Sequence, residues 1–140
     1  MGASFYDGGE NTALHTDLCS PLATDPTWRR LPASTRADLA AEGRPLWHEL
    51  ARALAPDLII ASIATAELDG ITFPRLGDWR VVYTVERGSP LPVRAVKLEI
   101  VPGKATLLAF GQAAQTPFGT VSRHQRRLIG EALRRELDPR

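Results

Sequence analysis

The run Leu58-Ile59-Ile60-Ala61-Ser62-Ile63 constrains the fold more than any other segment. It is almost continuously apolar and follows a helical pattern that Pro56 cannot continue. A short apolar run without alternation reads as a strand buried on both faces, as in parallel sheets. Parallel strands need helices to cover the sheet, so the segment asks for an α/β fold.

The flanking sequence supplies the other elements. Ser34 is a good N-cap for a helix over 35–42. Gly43 suits the residue just past a helix end, and Pro45 suits the first turn of a second helix. Leu46, Trp47, Leu50 and Leu54 then recur at helical spacing. The expectation is a short helix, a break and a second helix. Residues 64–68 suit a helical turn that stops near Asp69-Gly70. Residues 79–86 alternate, with Trp79, Val81, Tyr83 and Val85 on one face of a strand. Residues 93–110 read as a β-hairpin, because two alternating runs flank Pro102-Gly103, where Pro is pre-set for a turn and Gly is free to take positive φ. Ser122 and Gln125 form a capping-box pattern. Val121, Leu128, Ile129, Ala132, Leu133 and Leu137 mark the buried stripe of a last helix.

Packed together, these elements predict a three-layer mixed β-sheet flanked by helices. They read as one domain over 1–140, with a long ordered loop region at 1–33 and an α/β core at 34–137. A length of 140 residues and 44% apolar composition are enough to build a core without staples. Cys19 is the only cysteine, so no intrachain disulfide can form, and it reads as a small buried apolar residue. No Cys/His cluster has metal-ligand spacing, and no nucleotide or cofactor loop is present, so neither a metal nor a cofactor is expected. No signal-peptide pattern opens the chain, and its longest apolar runs are far too short to span a membrane. The expected setting is cytoplasmic, with no membrane partner.

Net charge is +1, but its distribution is uneven. Residues 122–140 hold six arginines against three acids, a basic tail helix that reads either as a solvated face or as a surface for phosphates.

Chemistry has three candidate places. In open α/β sheets, ligands bind beyond the carboxyl ends of the strands. One such end is Ser62 to Thr65. Another is the connection from Gly111 to Ser122, which opens a helix whose free N–H groups favour an anion. Thr116, Pro117, Thr120, Ser122, Arg123, His124, Arg126 and Arg127 lie around that start and are the candidate phosphate-binding residues. The same pattern also fits an ordinary strand-to-helix connection with Ser122 as cap. The third place is the early loop. There Asn11, His15 and Ser20, together with Ser62, are candidate pocket residues, and Asp17 and Asp25 are candidate catalytic carboxylates. His15 and Asp17 share a face on an extended segment, where the carboxylate would tune the imidazole. Asp, Ser and Thr in such loops also commonly hydrogen-bond their own backbone.

Three stretches resemble the later part of a uracil-DNA glycosylase-like domain. The first is His15-Thr16-Asp17-Leu18-Cys19-Ser20-Pro21 with Thr24-Asp25-Pro26-Thr27-Trp28. The second runs from Pro45-Leu46-Trp47 to Pro56-Asp57-Leu58-Ile59-Ile60-Ala61-Ser62. The third is residues 105–111 followed by Gln115-Thr116-Pro117-Phe118-Gly119. The resemblance spans roughly residues 11–137 and rests on the order of elements more than on signature residues. Thr116-Pro117-Phe118 stands where the family has a His-Pro-Ser type motif in a loop that enters the DNA minor groove, so only Pro117 carries over. The family's water-activating Gly-x-Asp-Pro-Tyr motif has no counterpart, as though the strand before it lay ahead of residue 1.

The resemblance implies DNA as partner and a flipped nucleobase as ligand, read in a pocket after the strand is bent. Hydrolysis of an N-glycosidic bond is the activity it implies, and the missing motif puts that step in question. Two other readings stay open. One is a non-catalytic binding or interaction module on the same scaffold. The other is an incomplete domain whose sticky 58–63 edge pairs with a partner strand. Oligomeric state is not readable from the sequence.

Overall fold

The computed structural model describes residues 13–20, 27–112 and 117–138. The chain divides into two compact units, Gly2–Leu54 and Ala55–Arg140.

In the N-terminal unit, a 3-10 turn at Trp28–Arg30 precedes helix α1, Ala33–Leu54. The expected break does not occur: α1 runs through both Gly43 and Pro45. It also starts ahead of Ser34, with Arg36 N donating to Pro32 O at 3.0 Å. Gly43 ends nothing. Its missing side chain lets residues 19–20 approach the helix, because a Cβ there would lie 2.9 Å from Ser20 N and 3.0 Å from Cys19 C. The segment is tied again where Trp47 Nε1 donates to Thr16 Oγ1 at 3.0 Å. The His48 ring meets Trp47 edge-on, with centroids 5.3 Å apart, and His48 Nδ1 lies 2.6 Å from Arg44 O. Cys19 is buried, as its composition class suggests.

The helix stops at Leu54. Ala55 then adopts φ +44°, the left-handed residue that commonly follows a helix, and Pro56 prevents continuation.

The C-terminal unit is a mixed sheet with a helix. Strand β1 is Leu58–Ala61, followed by a 3-10 turn at Thr65–Gly70. Strands β2, β3 and β4 are Arg80–Val85, Leu91–Val101 and Lys104–Phe110, and helix α2 is Arg123–Leu137. The sheet order is β1-β4-β3-β2. β1 pairs parallel with β4, while β3 runs antiparallel to β4 and to β2.

The parallel strand expected at 58–63 is present, but it is shorter and lies at the edge of the sheet. Leu58, Ile59 and Ile60 are only half-buried. The doubly buried run is the end of β4, where residues 106–110 are all buried. An apolar run with no alternation does not separate a central strand from an edge strand. β2 also departs from the simple alternation. A bulge between Val81 and Tyr83 leaves Val81 57% exposed and turns both Val82 and Tyr83 toward the core.

The β3–β4 hairpin is as expected, with Val101 paired to Lys104 and Gly103 at φ +76° in the two-residue turn. On one face of the sheet, Val85, Leu91, Val93, Ala95, Leu107 and Ala109 pack with Phe118, Val121, Ile129 and Leu133. Leu107, Ile129 and Leu133 are almost fully buried; each such side chain contributes about 1.5–3 kcal/mol. This is the stripe expected of the last helix, except that Leu128 is only half-buried and Leu137 remains 36% exposed. Across the sheet, Val96, Leu98, Ile100 and Leu108 are buried as well.

The entry to β1 is fixed by the start of β4. Lys104 Nζ donates to Ala55 O and pairs with Asp57 at 2.8 Å. Thr106 Oγ1 donates to Pro56 O at 2.7 Å.

Candidate nucleic-acid interface

Parallel pairing sets the geometry of the site. Ala61 is the register partner of Phe110, so β1 and β4 end together. The chain therefore leaves both strands at one edge of the sheet, as Ser62 after β1 and as Gly111-Gln112 after β4. Ser62 is half-buried there.

The connection to α2 is anchored by Phe118, which is 6% exposed. Its backbone sits at φ +55°, unusual for an aromatic residue. Its ring fills the space beside Gly111, where a Cβ would lie 2.5 Å from Phe118 Cε1. Pro117 and Thr120 stay exposed on either side of that anchor. Val121 N donates to Phe118 O at 3.0 Å and closes the turn. Ser122 then caps α2, its Oγ accepting from Gln125 N at 3.2 Å. The reciprocal arm of the capping box is diverted, since Gln125 Oε1 accepts from Tyr83 Oη at 2.6 Å and ties α2 to β2.

Arg123, His124, Arg126 and Arg127 are all exposed on the first turns of α2. Arg127 meets Glu131 at 3.7 Å, an exposed pair of small energetic weight. Among the described residues, Arg123, Arg126, Arg134 and Arg135 have no carboxylate within ion-pair distance. The outer surface of α2 is therefore positive and largely unneutralised.

Two residues that no motif singles out complete this edge. Arg87, in the β2–β3 loop, donates from Nε to Ser89 O at 2.9 Å and from Nη2 to Gln112 Oε1 at 3.3 Å. Gln112 Nε2 in turn donates to Thr120 Oγ1. Arg87 lies in the β2–β3 loop, whereas Gln112 and Thr120 lie in the β4–α2 connection, so no sequence spacing brings Arg87 to the other two. Gln112 reads from the sequence only as a turn residue.

The early-loop candidates belong to the N-terminal unit. His15 and Asp17 are exposed and Ser20 is buried. Asp17 Oδ1 accepts from Cys19 N at 2.9 Å, the local backbone turn that Asp commonly makes in loops. Asn11, Asp25 and Thr116 lie outside the described residues. Among the described residues, no group of three or more His, Cys, Asp or Glu side chains could hold a metal ion, and no helix is long and apolar enough to cross a membrane.

The fold and this edge define a mixed α/β protein with a four-stranded mixed sheet and accompanying helices. Compared with models of known families, with curated proteins and with solved structures, the chain gives no match.

Proposed function

We propose that this chain is a uracil-DNA glycosylase-like domain that binds DNA. Its site would be the edge where β1 and β4 end and α2 begins. The observation that carries the reading is the in-register ending of the parallel pair, Ala61 beside Phe110. It sends Ser62 and Gly111 out at one edge, the usual ligand position in open sheets with parallel strands. From the same edge the chain turns into a helix whose first turns expose Arg123, His124, Arg126 and Arg127. In this reading those side chains, with Thr120 and Ser122, meet phosphates and orient the strand. Ser62 borders the space for an extruded base. Pro117, exposed beside the Phe118 anchor, is the residue that would approach the groove. In the N-terminal unit, Asp17 is the described carboxylate to test for a part in hydrolysis.

A second reading, binding without hydrolysis, draws support from Asp17. Its Oδ1 accepts from the backbone of Cys19, a structural task that needs no catalysis.

One experiment separates the two. Single- and double-stranded oligonucleotides, with and without uracil, are titrated across a salt series. Abasic sites are scored after alkali in the same samples. Affinity that falls steeply with salt, together with abasic-site formation, supports the glycosylase reading. Salt-dependent binding without strand breaks supports the non-catalytic module. No binding at low salt removes DNA as the partner.

A further inference from the structure

Among the described residues, Arg87 is an exposed arginine held in place by neutral groups alone. Its two acceptors are the Ser89 carbonyl and the Gln112 amide oxygen. Among the described residues no carboxylate forms an ion pair with it, whereas Arg80 is matched by Glu136, Lys104 by Asp57 and Arg127 by Glu131. A guanidinium anchored this way keeps its full charge while losing much of its conformational freedom. The cost of ordering a long side chain has then been met before any anion arrives.

The hydrogen bonds also have a direction. Arginine can only donate, so the Gln112 amide must turn its oxygen to Arg87 and its nitrogen outward. That nitrogen donates to Thr120 Oγ1. The Thr120 hydroxyl accepts there, so its own proton is free to donate onward. Each bond polarises the next in the same sense. The chain begins at a cation and ends at a hydroxyl donor two residues ahead of the α2 cap.

We propose that Arg87, Gln112 and Thr120 form a preorganised donor array for one phosphodiester group of a bound nucleic-acid strand. Arg87 supplies charge and Thr120 a directed hydroxyl. Gln112 is the positioning residue that sets both. This deepens the DNA-binding reading above and rests on it.

The test compares full-length wild type with Arg87→Gln, Arg87→Lys and Gln112→Ala, using a fluorescent oligonucleotide over a chloride series. Inorganic phosphate is titrated in parallel, and melting temperatures are recorded for all variants. Each phosphate contact contributes about 0.7 to the salt slope for a single strand and about 0.9 for a duplex. Arg87→Gln is expected to lower the slope by that amount and to weaken binding roughly tenfold at low salt, with the melting temperature little changed. Arg87→Lys should recover the slope but not the full affinity, because a lysine is a point charge without the planar fork. Gln112→Ala should keep the slope and lose affinity.

Failure of wild type to bind the strand overturns the DNA reading and this proposal with it. Wild-type binding with an unchanged slope in Arg87→Gln overturns the proposal alone. Arg87-dependent binding of inorganic phosphate without strand binding assigns the array to a small phosphorylated ligand and also overturns it.

Discussion

The ring of Phe118 occupies the volume that a side chain at residue 111 would need, with Cε1 only 2.5 Å from a Cβ built on Gly111. The last residue position before the candidate site and the anchor of the following turn are thus one steric unit. Gly111→Ala is expected to destabilise the protein by about 1–3 kcal/mol through overpacking. Shortening the ring in Phe118→Leu should be costly alone yet partly relieve Gly111→Ala. Denaturant unfolding of the two single variants and the double one reads the coupling, and strict additivity would count against a shared volume.

Gly43 invites the opposite expectation from ordinary helix propensity. Inside an exposed helix, Gly to Ala gains roughly 1 kcal/mol. Here the new methyl would meet the backbone of Cys19 and Ser20 at 2.9–3.1 Å, and backbone cannot swing aside as a side-chain tip can. Gly43→Ala should therefore lower stability. A measured gain in denaturation midpoint would mean that residues 19–20 yield freely.

Ala55 sits at φ +44° directly after α1. An L-residue with a Cβ is strained there, and Gly is not. Ala55→Gly is expected to raise stability by roughly 0.5–1 kcal/mol, after allowing for the larger unfolded-state freedom of Gly. The bond from Lys104 Nζ should survive, since it goes to the backbone oxygen. A lower melting temperature in the Gly variant would overturn the strain argument.

Tyr83 and Gln125 link β2 to the first turns of α2. Tyr83→Phe keeps the ring in the core and removes only the donor. A loss of about 0.5–1.5 kcal/mol is expected from this change. Oligonucleotide affinity should not change, because the tie lies on the inner side of the helix. An affinity loss larger than the stability loss would instead mark Tyr83 as part of the binding surface.

The hairpin and α2 were legible because local chemistry and global packing agree in them. Pro102-Gly103 demands a turn where two alternating runs meet, and Ser122 caps a helix whose apolar stripe is buried. Gly43 misled because the same residue serves as a helix-end signal or as an accommodation to a neighbour, and only the close approach of residues 19–20 decides which; Pro45 simply lies inside the continuous helix. The position of β1 at the sheet edge was hidden for a related reason: apolar composition records what a strand avoids, not how many neighbours it has. The bulge at Val82 is invisible to a two-residue period. At the candidate site, the cap and the arginines of α2 could be read because they are contiguous. Thr120 could be read as well, but Arg87 and Gln112 could not, since the β2–β3 loop and the β4–α2 connection must fold before they touch.

The pairing of β1 with β4 also bears on the order of events in folding. β2, β3 and β4 are joined by short turns, so their ladders close small loops. β1 must instead find a partner across a long stretch of chain; the Thr106–Pro56 bond that fixes its entry spans 50 residues. Closing so long a loop is entropically costly and slow compared with zipping a hairpin. The three-stranded meander is therefore expected to form first and β1 to join it last. Because the proposed binding edge exists only once β1 lies beside β4, that edge is expected to be the final part of the sheet to assemble.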